Sequence, residues 1–367
     1  MTIPTHVSRI PAATRHVEVV ENPDDLDAVL AAATLCQDAE GKFDMVLALS
    51  EFNLLTGAEV RESLNVPGRG IADTLVFRDK VEMKRRLRRT DLPIPEFDAA
   101  DSVGQIVAFR RAHPGPVVVK PRSGAASTGC FVIQPDTDPA ELLADVDLAG
   151  HDVEEYVPGP IWHVDGLMSD GVPLFFTTSR YINNCYQFSI GRPLGSVVRT
   201  GPEADRVSDF AFRCLSALGL DSGAFHIEII EAATGLTFLE VGARVGGGEI
   251  PFVSRDVYGV DLIGDWIRIE LGMRPRTLPA APPAEHAGFL MLPEPVGHTL
   301  RSRTPMLGRI PHLYDEVLPP VGHVFDGNGG YETILGRFRY RGADADAVES
   351  AIRTTIADYS YVLTENA

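Results

Sequence analysis

The sequence has few cysteines, few lysines and no apolar run long enough to cross a membrane. Its four cysteines are scattered, which gives neither a disulfide framework nor the paired spacing of a zinc site, so we expect a reducing, cytoplasmic location. Residues 1–13 lack the apolar core of a signal peptide. The formal net charge of −18 opposes nonspecific contact with phosphate backbones. Neither a nucleic acid nor a membrane is therefore an expected partner.

Lysine is so scarce that all but four of the 33 basic residues are arginine. A lysine in such a composition is a candidate for a position that needs a compact ammonium rather than a planar guanidinium, and chance is the alternative for any one of them. Lys80 and Lys84 are four residues apart and share one face of a predicted helix. We interpret Lys84 as a solvated helix charge, whereas Lys120 ends a predicted strand.

Residues 223–248 are the most informative part of the sequence. Residues 225–230 alternate in part between apolar and polar side chains, a turn follows, and residues 236–241 form the return strand of a predicted hairpin. Glu228 and Glu240 then lie nearly opposite each other, where two carboxylates repel unless a cation lies between them. All-oxygen ligation of this kind suits Mg²⁺, with Mn²⁺ as the alternative ion. An ordinary exposed hairpin with two solvated acids fits the same pattern.

Two further segments carry groups that suit a phosphate. Arg244 follows the hairpin in a glycine-rich segment, where its guanidinium is able to clamp a phosphate or a carboxylate with two hydrogen bonds. Residues 122–129 form a loop of small residues between two predicted strands, which lets backbone N–H groups approach phosphate oxygens. The loop is not a Walker loop, because no Gly-Lys-Ser/Thr sequence and no helix follow it. An ordinary turn is the alternative.

The periodicity of the chain predicts an α/β protein without internal repeats. Strands at residues 16–20 and 43–49, each followed by a helix, are typical of a small parallel α/β unit. Further helices are predicted for residues 73–89, 103–112, 208–219, 251–271 and 343–362. Further strands are predicted for residues 117–120, 130–133, 161–168, 173–180, 286–292, 321–325 and 333–340, and a Pro/Ala-rich loop for residues 279–283.

The order of these features resembles the ATP-grasp superfamily over residues 73–248. That order is Asp79-Lys80, the strand-ending Lys120, the small-residue loop, Glu154-Glu155-Tyr156-Val157-Pro158-Gly159, the two hairpin acids and Arg244. The resemblance implies an α/β (α+β) ATP-grasp fold. It divides the chain into a small Rossmann-like α/β domain (residues 1–75), a helical linker (76–115), a central lid subdomain (116–185) and a C-terminal mixed-sheet catalytic subdomain (186–367).

The resemblance also implies a role for each matching residue. ATP is bound through its phosphates by Lys80, Lys120 and the loop containing Ser123, Gly124, Ala125 and Ser127, and through adenine by Glu154, Glu155, Tyr156 and Val157. Glu228 and Glu240 hold Mg²⁺, and Arg244 and Lys120 are the catalytic residues. The substrate is expected near His226, Arg244 and Gly247, although ordinary packing is an equal alternative for His226.

The chain departs from the family pattern in two places. Gly242 stands where the family often has an asparagine two residues after the second metal carboxylate, which leaves a third ligand open, with Asp165 as a candidate. Ile161 stands where the family has an acid for the ribose, so His163 or the backbone is expected to hold it.

The resemblance is to the L-amino-acid ligases within this superfamily, on the segments around Glu228, Glu240 and residues 335–338. It implies an ATP-dependent ligase that joins a small-molecule carboxylate to an amine through an acylphosphate and releases ADP and phosphate. A carboxylase that activates bicarbonate and a nucleotide-binding protein without catalysis remain as alternatives. A homodimer is one assembly that the sequence leaves open, and the sequence does not fix the oligomeric state.

Overall fold

The structure, a computed structural model, describes residues 1–279, 285–328 and 334–366. Its eleven described helices are α1 Leu26–Glu40, α2 Leu54–Ser63, α3 Ile71–Leu75, α4 Lys80–Leu87, α5 Val103–Ala112, α6 Pro139–Leu142, α7 Cys185–Ser189, α8 Pro202–Leu218, α9 Ile250–Tyr258, α10 Leu262–Glu270 and α11 Ala345–Asp358. Short 3₁₀ turns occupy Pro4–Arg9 and Glu51–Asn53.

Fourteen described strands form three sheets. They are β1 Phe97–Ala99, β2 Val117–Pro121, β3 Phe131–Ile133, β4 His151–Glu155, β5 Ile161–Ser169, β6 Val172–Ile182, β7 Leu194–Arg199, β8 Gly223–Ala232, β9 Gly235–Gly242, β10 His286–Leu292, β11 His298–Arg303, β12 Leu313–Val317, β13 Gly336–Gly342 and β14 Tyr361–Glu365. The sheets have the orders β1-β4-β2-β3, β12-β13-β10-β7-β6-β5-β8-β9 and β11-β14.

Every pairing described in the eight-stranded sheet is antiparallel, so the described part of this sheet is not mixed as expected. Hairpins such as β5–β6 and β8–β9 explain this, because a short turn joins antiparallel neighbours whereas parallel neighbours need a long crossover. The change from the four-stranded to the eight-stranded sheet falls between Glu155 and Ile161. It does not coincide with the lid boundary expected at residue 185.

The hydrophobic core next to β8 lies on one face of the larger sheet. Phe225, Ile227 and Ile229 are fully buried and belong to one apolar cluster with Leu215 of α8 and Leu87 of α4. Because successive side chains of a strand point to opposite faces, the residues between them on β8 are directed to the other face. One apolar face thus anchors the strand that carries Glu228, one of the predicted metal ligands.

The two strands predicted near the N-terminus do not form. Residues 43–49 are extended but pair with no described strand, and residues 16–20 contribute only an isolated parallel bridge between Val19 and Thr2. An extended segment needs a neighbour to satisfy its backbone groups, and exposed Leu47 and Leu49 show that water reaches this one. The region retains its helices α1 and α2, which share a small apolar cluster.

Three predicted helices differ from those observed, each for a local reason. Residues 73–89 are divided because Asp79 caps α4, accepting from the backbone N–H of Val81. Residues 251–271 form two helices, since Gly259 ends α9 with a φ of 73°. The closing helix ends at Asp358, and β14 follows it.

Two C-terminal strand predictions had different outcomes. Residues 321–325 form no strand, because Val324 makes only an isolated bridge to Thr299. The strand predicted from residue 333 is confirmed as β13, and residue 333 itself lies outside the described residues. The predicted loop at residues 279–283 also lies outside them, except for residue 279. No helix in the described part of the chain is long and apolar enough to span a bilayer.

Candidate active site

A cleft of about 550 Å³ lies between the four-stranded sheet and the β8–β9 hairpin. The register of the hairpin places Glu228 directly opposite Glu240, as predicted. Other predicted ATP-site residues line the same cleft: Lys80, Lys120, Gly124, Ala125, Ser127, Glu154, Glu155, Tyr156 and Val157. Lys80 and Glu240, which are 160 positions apart in the sequence, thus line the same cleft.

The two hairpin acids differ in their surroundings. Glu228 is buried and accepts a hydrogen bond from the Tyr181 hydroxyl at 3.0 Å. Glu240 is more open, and its carboxylate lies 3.5 Å from the ammonium of Lys80. Burial acts against its charge, but Lys80 and Lys120 hold the pKa of Glu240 below its usual value. Glu240 is therefore a carboxylate at neutral pH, as a divalent cation requires.

Lys80 owes its position to the start of α4. Asp79 caps the helix, so Lys80 occupies its first turn with its side chain in the cleft. The ammonium donates to the carbonyl oxygen of Gly124 at 2.8 Å, and the backbone N–H donates to that of Arg122 at 3.0 Å. The helix start and the small-residue loop are thereby joined.

Lys84 is not the solvated charge that we expected. Its side chain is fully buried, where it donates to Asp152 at 3.1 Å and pairs with Glu154. Glu154 also pairs with Lys120, so two lysines and two acids form a balanced buried network between α4, β2 and β4. The i, i+4 spacing from Lys80 was the available signal, because both lysines face the same sheet.

The network fixes the charge of Lys120 and the role of Glu154. Burial favours the neutral amine, but the carboxylate of Glu154 raises the pKa of Lys120 above its usual value. Burial likewise favours neutral Glu154, yet Lys120 and Lys84 lower the pKa of that carboxyl. The Glu154 carboxylate is thus paired with Lys84 and Lys120. Glu154 still lines the cleft together with Glu155, Tyr156 and Val157 of the predicted adenine linker.

Asp165 and His163 lie outside the cleft, in a buried cluster with His226. Asp165 accepts from His163 Nδ1 at 2.5 Å and from His226 Nδ1 at 2.7 Å, so each carboxylate oxygen is engaged by an imidazole. His163 Nε2 lies 2.6 Å from the Ser196 hydroxyl. The structure therefore does not bring Asp165 to the hairpin acids as a third ligand, nor His163 to the cleft as a ribose contact.

His226 connects this cluster to the hairpin acids. Its Nε2 lies 3.5 Å from Glu228 Oε1. Burial favours neutral imidazole, but the Asp165 carboxylate raises the pKa of His226 to about 10. Asp165, His226 and Glu228 thus lie one after another, and Glu228 lines the cleft.

Arg244 is held by a residue that sequence reasoning missed. Its Nε pairs with Glu51, and its Nη1 donates to the Val245 carbonyl at 3.0 Å. The other oxygen of Glu51 pairs with Arg78, whose Nη2 donates to the Ser123 carbonyl at 2.5 Å. Burial opposes the charge of Arg244, yet Glu51 foremost raises its pKa. No spacing signal links Glu51 to Arg244, which are 193 residues apart.

In addition to His163, Asp165 and His226, three predicted residues do not line the cleft: Ser123, Arg244 and Gly247. Ser123 turns its carbonyl to Arg78, and Gly247 is exposed just before α9. Gly247 has no side chain, so any contact with substrate would be through its backbone.

Residues 77–248 match the protein family described as an ATP-grasp domain. This segment of the chain is an ATP-grasp domain. This confirms the resemblance inferred from the order of lysines, loop, linker and acids. It also confirms the fold class, because the matched region includes the four-stranded sheet and strands β5 to β9 of the eight-stranded sheet.

Known proteins that are similar to this chain include amino-acid ligases. An L-arginine-specific L-amino acid ligase of Bacillus subtilis is 24% identical over 302 residues, which cover 79% of this chain and 72% of that protein. The crystal structure of an L-amino acid ligase from Bacillus licheniformis matches with a TM-score of 0.73 and 18% identity, covering 94% of this chain and 87% of that one.

An enzyme that is not named as an amino-acid ligase has a similar fold. A carboxyaminoimidazole ribonucleotide synthase from Aspergillus clavatus, solved with ATP, matches with a TM-score of 0.71 and 16% identity, covering 97% of this chain and 90% of that one. At these identities, the two solved structures establish the shared fold and nothing further.

Proposed function

We propose that this protein is an ATP-dependent carboxylate–amine ligase that forms an amide bond between amino-acid substrates. The observation that carries the proposal is the meeting of Glu228, Glu240, Lys80 and Lys120 around one cleft. Two opposed acids suit a divalent cation, and two ammonium groups suit the phosphates of a nucleotide. The relationship to the Bacillus subtilis amino-acid ligase supports amino acids as substrates.

The first chemical step is phosphoryl transfer to the carboxylate substrate. A carboxylate oxygen attacks the γ-phosphorus of ATP, the bond between that phosphorus and the β–γ bridging oxygen breaks, and ADP leaves. Lys80 and Lys120 hold and neutralise the phosphates, and Glu228 and Glu240 would hold Mg²⁺. A bound Mg²⁺ would supply neutralisation of the negative charge on the phosphates. Catalysis in such a step consists mainly of positioning and electrostatic stabilisation.

The second step forms the amide. The neutral amine of the second substrate attacks the acyl carbon of the acylphosphate, the carbon–oxygen bond to phosphate breaks, and the nitrogen loses a proton. Water must be kept out, because it would attack the same carbon. The four-stranded sheet with the loop at residues 122–129 borders the cleft opposite the acids and is placed to cover it.

The proposal is tested by ADP release from Mg-ATP with single amino acids and then with pairs. We expect release to need a pair, and mass spectrometry to find a product with the summed mass minus water. Glu240→Gln should abolish release, whereas Glu203→Gln, which changes an exposed acid in α8, should not. ADP release driven by bicarbonate, with no response to any amino-acid pair, would instead support a carboxylase. ATP binding without release under any substrate would contradict catalysis.

A further inference from the structure

Glu51 joins two arginines of the ATP-grasp domain although it lies outside residues 77–248. One carboxylate oxygen pairs with Arg78 and the other with Arg244. All three side chains are largely buried, with exposed fractions of 6% for Arg78, 11% for Glu51 and 19% for Arg244. Such charge-assisted pairs fix the plane and direction of a guanidinium more strictly than water does.

Gly242 provides the space that the Glu51 carboxylate occupies. A Cβ atom at position 242 would lie 2.8 Å from Glu51 Oε2, closer than a carbon atom and an oxygen atom pack. Gly242 lies two residues after Glu240 on β9, so this missing side chain would point to the same face as the Glu240 carboxylate. The absence of a side chain at Gly242 and the presence of Glu51 therefore fit each other.

The contacts of Arg244 leave part of its guanidinium available. Its Nε and Nη1 have protein acceptors, but no residue in the described ranges accepts a hydrogen bond from Nη2. One carboxylate is shared by two guanidinium groups, and Asp165 and Glu240 also favour the charged form of Arg244. An anion at this point, such as a phosphoryl group, would meet a free donor on a charged guanidinium.

Arg78 extends the same arrangement to the small-residue loop. Its Nη2 donates to the carbonyl of Ser123, directly before Gly124, whose carbonyl accepts from Lys80. The loop entrance and Arg244 are therefore held through a single carboxylate.

We propose that Glu51 is a positioning residue, which directs Arg244 at the phosphoryl group during transfer and completes the active site from the N-terminal region. The inference rests on the proposed function, because it takes the transferred phosphoryl group as the group that Arg244 binds. A purely structural role, in which Glu51 only attaches the N-terminal region to the ATP-grasp domain, is the competing explanation.

The decisive kinetic test is a double-mutant cycle of Glu51→Gln and Arg244→Gln, with the amino-acid pair that drives ADP release. We expect Glu51→Gln to lower kcat about 10- to 100-fold, since a displacement of about 1 Å of a positioning group has effects of that size. The KM for ATP should change less than kcat. If Glu51 acts through Arg244, the double variant is no slower than Arg244→Gln alone. Multiplied effects, or an unchanged kcat in Glu51→Gln, would overturn the inference.

A matched control separates position from charge. Glu59 lies in α2 of the same region and has no described ion pair or hydrogen bond. Glu59→Gln should therefore leave kcat unchanged. If Glu59→Gln lowered kcat as much as Glu51→Gln, both effects would follow from the loss of negative charge in this region. That result would contradict the inference.

A second cycle needs no activity. Gly242→Ala should lower the thermal unfolding midpoint of the wild-type protein, because its methyl group displaces the Glu51 carboxylate. It should not lower the midpoint of Glu51→Ala, where that carboxylate is absent. An equal loss in both backgrounds would show that Glu51 does not occupy this space. If no amino-acid pair drives ADP release but this cycle behaves as expected, the proposed function fails while the placement of Glu51 stands.

Discussion

Lys84 shows how much a single buried charge contributes to this site. It lies with no exposed surface among two acids, and Glu154 is shared with Lys120. A buried ion pair is often no more stable than an apolar pair of the same shape, but the loss of one member leaves an unpaired charge in a poor solvent. Lys84 therefore matters through the partners that it neutralises.

We predict that Lys84→Met destabilises the protein by about 3–5 kcal/mol, because Asp152 and part of Glu154 then lack a cation. The free energy of unfolding in urea measures this. Lys42→Met is the matched control, since Lys42 is exposed and has no described partner, and it should change the value by less than about 0.5 kcal/mol. A loss in Lys84→Met no larger than in the control would contradict the buried network.

Cys130 gives a residue-scale probe of the cleft. It lines the cleft, and burial raises the pKa of its thiol to about 11. We therefore expect alkylation to be slow at pH 7.5 and to accelerate about tenfold per pH unit up to pH 10, because only the thiolate reacts. Mg-ATP should slow it further by covering the thiol.

Peptide mass spectrometry resolves this reaction from that of Cys36, which lies outside the cleft. Mg-ATP should leave the Cys36 rate unchanged. Equal protection of both cysteines would point to a general tightening of the chain, and rapid alkylation of Cys130 at pH 7.5 would contradict the raised pKa of its thiol.

At the scale of elements, α4 shows how a helix start positions a functional group. Asp79 caps α4 and also pairs with Arg122, so the first turn that carries Lys80 is attached to the loop. An N-cap carboxylate contributes about 1 kcal/mol to a helix. Here the same carboxylate would also contribute to nucleotide binding.

We predict that Asp79→Ala raises the KM for ATP several-fold and lowers the free energy of unfolding by about 1 kcal/mol. Asp25→Ala removes the cap of α1, which is distant from the cleft, and is the matched control for helix stability. Steady-state kinetics and urea denaturation of both variants measure the two effects. An equal change of KM in both variants would show that the cap acts only on stability.

The elements that sequence reasoning predicted well are those with local causes. The β8–β9 hairpin follows from alternation and a turn, and its register places Glu228 opposite Glu240 without any distant information. The β2–β3 hairpin around the small-residue loop was predicted for the same reason. Residues 43–49 have a strand-like pattern too, but pairing depends on a neighbour, which a local pattern does not supply.

At the scale of the whole molecule, the parts of the site that sequence reasoning missed are those made by distant segments. Glu51 meets Arg244 only through the fold, and the burial of Lys84 depends on two acids of β4. Asp165 was proposed as a metal ligand because of the resemblance to ligases that carry an acid near this position, yet two imidazoles engage both of its oxygens. Residue type and order therefore predicted the cleft, whereas the pairing of individual charges required the tertiary structure.

The most direct test of the central claim is oxygen transfer from carboxylate to phosphate. With the amino-acid pair that drives ADP release, the carboxylate substrate is labelled with ¹⁸O in both oxygens, and the released phosphate is analysed by mass spectrometry. An acylphosphate predicts one ¹⁸O atom per phosphate, because the attacking oxygen leaves with the phosphorus. Amide formation with unlabelled phosphate would contradict carboxylate activation by phosphoryl transfer, and with it the proposed roles of Lys80, Lys120 and Arg244.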